Sequence, residues 1–194
     1  MKIVIGLTGP TGAGKSMVSK AAEDFGFKVI DCDKTARKAV EKGTEGLAAV
    51  VKAFGEGILN CDGTLNRKEL AQRAFKDAES TELLNKTLLP FVSALVLKEA
   101  DTERVLLDAP TLFESGINSV CNATVAVLAD LEIRLDRIIE RDGIDLSAAR
   151  LRISAGKPDS FYKDRADYII YNNGKGESFV AEFQKIITEI MGKI

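Results

Sequence analysis

Residues 9–16 read GPTGAGKS, and this match to GxxxxGK[ST] constrains the chain more than any other feature. Glycines adopt backbone conformations closed to other residues and let the chain approach a phosphate closely. Successive backbone N–H groups and the N-terminus of the following helix then face the anion. Lys15 neutralises β- and γ-phosphates, and the Ser16 hydroxyl can ligate Mg²⁺. The pattern alone could be a chance glycine-rich turn, so its context decides. It follows Ile3–Leu7, a continuous apolar run rich in β-branched residues. Such a run reads as a strand buried on both faces of a parallel sheet. It opens a helix expected from Lys15 to about Phe25, with Val18, Ala21, Ala22 and Phe25 on one face.

The rest of the chain supports an α/β fold. Val29 and Ile30 form a short second strand ending at Asp31 and Asp33. Helical patterns then follow one another at Lys34–Glu41, Thr44–Phe54, Asn66–Phe75 and Ser80–Ala100, with a kink expected at Pro90. They form a helical insertion over 34–103. Arg104–Asp108, Ala123–Leu128 and Tyr168–Tyr171 supply three further strands. Leu131–Asp142 is amphipathic, with Leu131, Leu135, Ile138 and Ile139 on one side. Residues 141–165 are dense in charge and poor in large apolar residues. The last helix carries Phe179, Phe183, Ile186, Ile187, Ile190 and Ile194 at core spacing.

Composition removes whole classes of chemistry. The 194 residues contain no histidine, which excludes a Ser-His-Asp triad, a Cys-His dyad and any His-ligated metal. The net charge of −2 argues against a general nucleic-acid binder. Cys32, Cys61 and Cys121 are too far apart in sequence for a CxxC motif and are expected to be reduced thiols. MKIVIGLTGP lacks the cleavage site of a signal peptide, and no apolar run approaches the ~20 residues of a membrane span. A cytoplasmic protein without a membrane partner is expected; the oligomeric state is open, with a monomer favoured.

Several acidic and basic residues are candidates for the chemistry. Two roles are open for Asp33: N-cap of a helix starting at Lys34, or general base for a hydroxyl acceptor. Asp31 is expected to be a solvated strand-end carboxylate. Asp108 ends the third strand, where an acid can hold Mg²⁺ directly or through water. Glu114 either lines the same crevice or lies on the surface. Arg137, Arg141, Arg150, Arg152, Lys157, Lys163 and Arg165 are mostly a solvated face, with room for one or two arginines that close over transferring phosphate.

The whole pattern resembles the dephospho-coenzyme A kinase family. The resemblance rests on the loop GPTGAGKS, on DCDKTAR at Asp31–Arg37, on DGTLNRKEL at Asp62–Leu70 and on LDAPTLFE at Leu107–Glu114. The Arg141–Asp142 pair and RADYIIYNNG at Arg165–Gly174 extend it. The chain departs from the family pattern at Leu89–Pro90, where a His-Pro pair is usual, at Thr111, and at Gly156 in place of a glutamine. The resemblance implies a P-loop kinase with a five-stranded parallel sheet, a helical acceptor-binding insertion at 34–103 and a lid at 141–165. Residues 1–33, 104–140 and 166–194 would form the nucleotide-binding core. ATP, with Mg²⁺, would phosphorylate the ribose 3′-hydroxyl of dephospho-coenzyme A. Gly12, Ala13, Gly14, Lys15, Ser16 and Met17 would hold the ATP phosphates, with Ser16 and Asp108 at the metal. Asp33 would deprotonate the hydroxyl, Lys15 would stabilise the transferred charge, and Arg141 would act from the lid. A switch GTPase would need DxxG and Asn-Lys-x-Asp elements, and neither occurs. Another small-molecule kinase, for a nucleoside, nucleotide or shikimate-like acceptor, is the alternative that the residues by themselves leave open.

Overall fold

The computed structural model describes residues 2–174 and 177–193. A five-stranded parallel sheet has the order β2-β3-β1-β4-β5. Its strands are β1 (Ile3–Thr8), β2 (Lys28–Asp31), β3 (Arg104–Asp108), β4 (Ala123–Leu128) and β5 (Tyr168–Tyr171). The inner strands β1 and β4 are buried at every position, which is why their sequences are apolar without alternation. Register pairs Leu7 with Asp108 and Thr8 with Ala126, so β1 and β3 end side by side and β4 runs two residues further.

The chain divides into two compact units. The first comprises Met1–Val29, Thr102–Pro110 and Cys121–Ile194. There α1 (Lys15–Asp24) and α9 (Glu177–Lys193) cover the sheet. Val18, Ala21 and Ala22 of α1 meet Phe179, Phe183, Ile187 and Ile190 of α9 over Ile5, Leu7, Val125, Val127 and Ile170. Ile194, expected on the α9 stripe, lies outside the described residues.

The second unit comprises Ile30–Asp101 and Thr111–Val120. Its helices are α2 (Cys32–Ala39), α3 (Glu45–Phe54), α4 (Arg67–Ala74) and α5 (Ala78–Glu99). They enclose a separate core of Val40, Val50, Ile58, Leu70, Ala74 and Leu84. Side-chain caps start all four: Asp31 on Lys34 N–H, Thr44 on Leu47 N–H, Asn66 on Glu69 N–H and Asp77 on Ser80 N–H. Helix α5 runs through Pro90 as one 22-residue element. Residues 111–120 join this unit through Asn85, whose Nδ2 donates to the Glu114 carbonyl at 2.7 Å.

The charged stretch 141–165, poor in large apolar residues, holds α7 (Leu146–Ser154), capped by Asp145, and α8 (Asp159–Lys163). Ala149 is the buried residue of α7 and packs on Leu135 and Ile138 of α6 (Leu131–Asp142). On α6 itself Leu131 is 47% exposed, while Arg134, absent from the expected stripe, is only 5% exposed. The helix start turns Leu131 outward, and the turn that follows faces the phosphate loop.

Candidate active site

In the first unit, residues 9–14 connect β1 to α1, and the glycines meet two separate demands there. Gly12 has φ +80°, and a Cβ on it would lie 2.8 Å from the Arg134 carbonyl oxygen. Gly14 has φ +92°, and a Cβ would lie 2.2 Å from Nδ2 of Asn172. Left-handed backbone and close approach from behind the loop both exclude a side chain at these positions. Helix α1 begins at Lys15, so the positive end of its dipole lies at this loop. The Lys15 ammonium folds back over the loop, donating to the Gly9 carbonyl at 2.9 Å.

Ser16 lies exposed in the first turn of α1, and Ser19 follows at i+3 on the same side. Ser19 Oγ donates to Asp108 Oδ2 at 2.9 Å. This bond holds the half-buried Asp108 carboxylate beside the turn that carries Ser16. The pair offers a hydroxyl and a carboxylate, hard oxygen donors that fit Mg²⁺, which commonly takes one or two protein ligands plus phosphate and water. Among the described residues no group of three or more Cys, Asp or Glu side chains could hold a metal by itself.

The arginines separate by position. Arg137 Nη1 donates to the Gly12 and Ala13 carbonyls at 3.3 and 3.2 Å, and its Nη2 donates to the Asn172 carbonyl at 2.9 Å. Arg134 reaches the Thr11 carbonyl. Sequence reasoning missed Arg134 and Asn172. The signal for Arg134 was its place one turn before Ile138, on the buried face of α6. Arg141 is bidentate to Asp142 at 2.8 and 2.9 Å, and Arg152 binds the same carboxylate. The Arg141 hydrogen bonds, joined by both guanidinium charges, hold the Asp142 carboxyl below its usual range. Arg165 stacks over Phe161 at 4.2 Å, and Lys163 lies over Tyr171 at 5.6 Å. Arg150 is exposed on α7.

In the second unit, the structure corrects the capping alternative for Asp33. Helix α2 starts at Cys32, two residues earlier than expected, and its cap is Asp31. Asp31 Oδ1 accepts from the Lys34 N–H at 3.0 Å, and Oδ2 pairs with the Lys34 ammonium at 3.1 Å. Asp31 is therefore not a simple solvated strand end. Partial burial raises its carboxyl, but the Lys34 contacts outweigh this and hold it below the usual range. Asp33 sits exposed in the first turn, with its carboxylate outside the cap. Behind it, Thr35 is buried and donates to Glu99 Oε2 at 3.1 Å, and Lys38 pairs with Glu99 at 2.8 Å, fixing α2 on α5.

Glu114 is half-buried, and its Oε2 is sealed from solvent without a hydrogen-bond partner. Asp62 has a structural role. Its Oδ1 accepts from the Thr64 hydroxyl and N–H at 2.6 and 2.9 Å, closing the turn before α4. Those two bonds lower its carboxyl, the hydroxyl more than the N–H.

Comparison with known proteins points to one family. A family model described as dephospho-CoA kinase matches residues 3–178. A Corynebacterium efficiens protein named dephospho-CoA kinase is 38% identical over 196 residues, covering 98% of each chain. A crystal structure from Thermus thermophilus superposes with a TM-score of 0.76 at 30% identity over 97% of both chains. The structure titled dephospho-CoA kinase from Campylobacter jejuni superposes with a TM-score of 0.64 at 27% identity, covering all of both chains.

Proposed function

This chain belongs to the dephospho-CoA kinase family, and from that premise we infer which of its residues carry each part of the reaction. The reaction is phosphorylation of the ribose 3′-hydroxyl of dephospho-CoA, the final step of coenzyme A synthesis. The observation that carries the assignment is the phosphate loop between β1 and α1, with Lys15 folded over it, inside a family match that spans residues 3–178.

ATP is the phosphoryl donor. Gly12 to Met17 hold its phosphates as the loop and the start of α1; the Ala13 and Met17 N–H groups close this turn on the Pro10 and Gly14 carbonyls, and the remaining N–H groups serve the anion. The ammonium of Lys15, folded over the loop, offsets the negative charge that builds on the β–γ bridge as the bond breaks. Asp33 accepts the proton of the 3′-hydroxyl, whose oxygen bonds to the γ-phosphorus while the β–γ bridging oxygen leaves with the electron pair on ADP. Ser16 and Asp108 are the residues that would hold Mg²⁺, which when bound neutralises phosphate charge. Residues 141–165 act as the lid, and Arg141 is its catalytic arginine. To reach phosphate, its guanidinium exchanges Asp142 for the nucleotide, an exchange that its exposed position allows. Three cysteines outside any disulfide among the described residues fit a cytoplasmic enzyme, and no described helix is long and apolar enough to cross a membrane.

A panel of acceptors tests the substrate assignment. With Mg·ATP, ADP release with dephospho-CoA is expected to stand at least about a hundredfold above AMP, CMP or shikimate, because acceptor binding energy is needed to align the hydroxyl. Equal turnover of AMP or CMP would overturn the acceptor while sparing the kinase class.

A further inference from the structure

Arg134 lies on the α6 face made otherwise of Leu135 and Ile138, and a guanidinium at that depth has to be satisfied. Its Nε donates to the Thr11 carbonyl at 3.0 Å, and its Nη1 to Asp159 Oδ1 at 3.1 Å. One turn on, Arg137 takes the Gly12 and Ala13 carbonyls. From the end of β5, fully buried Asn172 donates through Nδ2 to the Ala13 carbonyl at 2.9 Å. Three successive carbonyls of the phosphate loop are thus held by side chains behind it.

Peptide planarity gives this arrangement a consequence. In a trans peptide the carbonyl of one residue and the N–H of the next point in opposite directions. No peptide bond among the described residues is cis. Drawing the carbonyls of residues 11–13 toward α6 therefore turns the N–H groups of Gly12, Ala13 and Gly14 the other way. The Ala13 N–H closes the loop onto the Pro10 carbonyl at 3.2 Å. Those of Gly12 and Gly14 point away from α6, toward the side where phosphate would bind on the proposed reading.

We propose that Arg134 is a positioning residue for ATP: through Thr11 it fixes the N–H cradle of the loop, and Asp159 fixes Arg134. The proposal rests on reading residues 9–16 as the ATP phosphate site. Asp159 opens α8, so the brace also ties the returning end of residues 141–165 to the loop. It differs from a catalytic role because Arg134 is buried, with its Nε and Nη1 spent on Thr11 and Asp159.

Two substitutions test it. Arg134→Lys keeps the charge and the buried methylenes but has neither the Nε–H nor the planar fork. Asp159→Asn keeps the shape and removes the orienting charge. With no ligand present, exchange of the Ala13 amide, followed by NMR, is expected to speed up about tenfold in Arg134→Lys, the loss of one charge-assisted hydrogen bond, and less in Asp159→Asn. The β1 amides should keep their wild-type rates. KM for ATP is expected to rise about tenfold in Arg134→Lys while KM for dephospho-CoA stays within about twofold. Folded variants with wild-type Ala13 exchange and wild-type KM for ATP would overturn the proposal. A rise in both KM values, with faster exchange throughout β1 and α6, would overturn it too, since that marks general loosening. A wild-type protein that transfers no phosphoryl group would refute the kinase reading instead, and the Ala13 exchange would still decide the brace.

Discussion

Asp33→Asn is expected to give a folded protein that binds ATP normally and barely turns over. Asparagine cannot take the hydroxyl proton, and a positioned acid–base group contributes ~10²–10⁴-fold, so kcat should fall by that factor. The structure makes the variant cleaner than the sequence could promise. The cap of α2 is Asp31, so position 33 can change without removing it. What is lost is a carboxylate in the first turn of a helix, about 0.3–1 kcal/mol of dipole interaction. Asp31→Asn is the matched control, because asparagine caps about as well as aspartate and kcat should stay near wild type. Near-wild-type kcat in Asp33→Asn would remove the base assignment. Lost ATP binding would place Asp33 at the metal.

Lys15→Ala carries the second large effect. Its ammonium is held over the loop by the Gly9 carbonyl, and the proposed role sets it against the charge that develops as the β–γ bond breaks. Removing one preorganised electrostatic contact of this kind lowers kcat by ~10²–10³-fold. The fold should survive, since Lys15 is only half-buried at a helix start and the core of the unit is built from Val18, Ala21 and Ala22 on the other side of α1. Circular dichroism and thermal melting check that point. An unchanged kcat in a folded Lys15→Ala protein would contradict the phosphate-loop assignment.

The strands were legible because their burial is written in one dimension: β1 and β4 are covered on both faces and read as unbroken apolar runs. The loop was legible because its glycines have few substitutes. Its reason was only half legible, since the backbone of Arg134 and the amide of Asn172 also exclude a side chain from behind. Helix α7 was missed because its leucines face out. Leu146 is 47% and Leu151 68% exposed, so a weak apolar face hid a helix that the Asp145 cap signals. Asp31, expected as a solvated strand end, is the cap in place of Asp33 because α2 starts two residues earlier than its pattern suggests, a boundary that pattern reasoning resolves poorly. Arg134 went unread because a charged residue on an apolar face looks like a break in the stripe until its partners, Thr11 and Asp159, are located in space.

The most direct measurement of the central claim is the position of the new phosphate. After incubation of the protein with Mg·ATP and dephospho-CoA, phosphorus NMR of the product should show one new monoester coupled to the ribose H3′, formed in equal amount with ADP. A monoester on the 2′-oxygen, a new anhydride phosphate, or ADP and inorganic phosphate without a phosphorylated acceptor would contradict it.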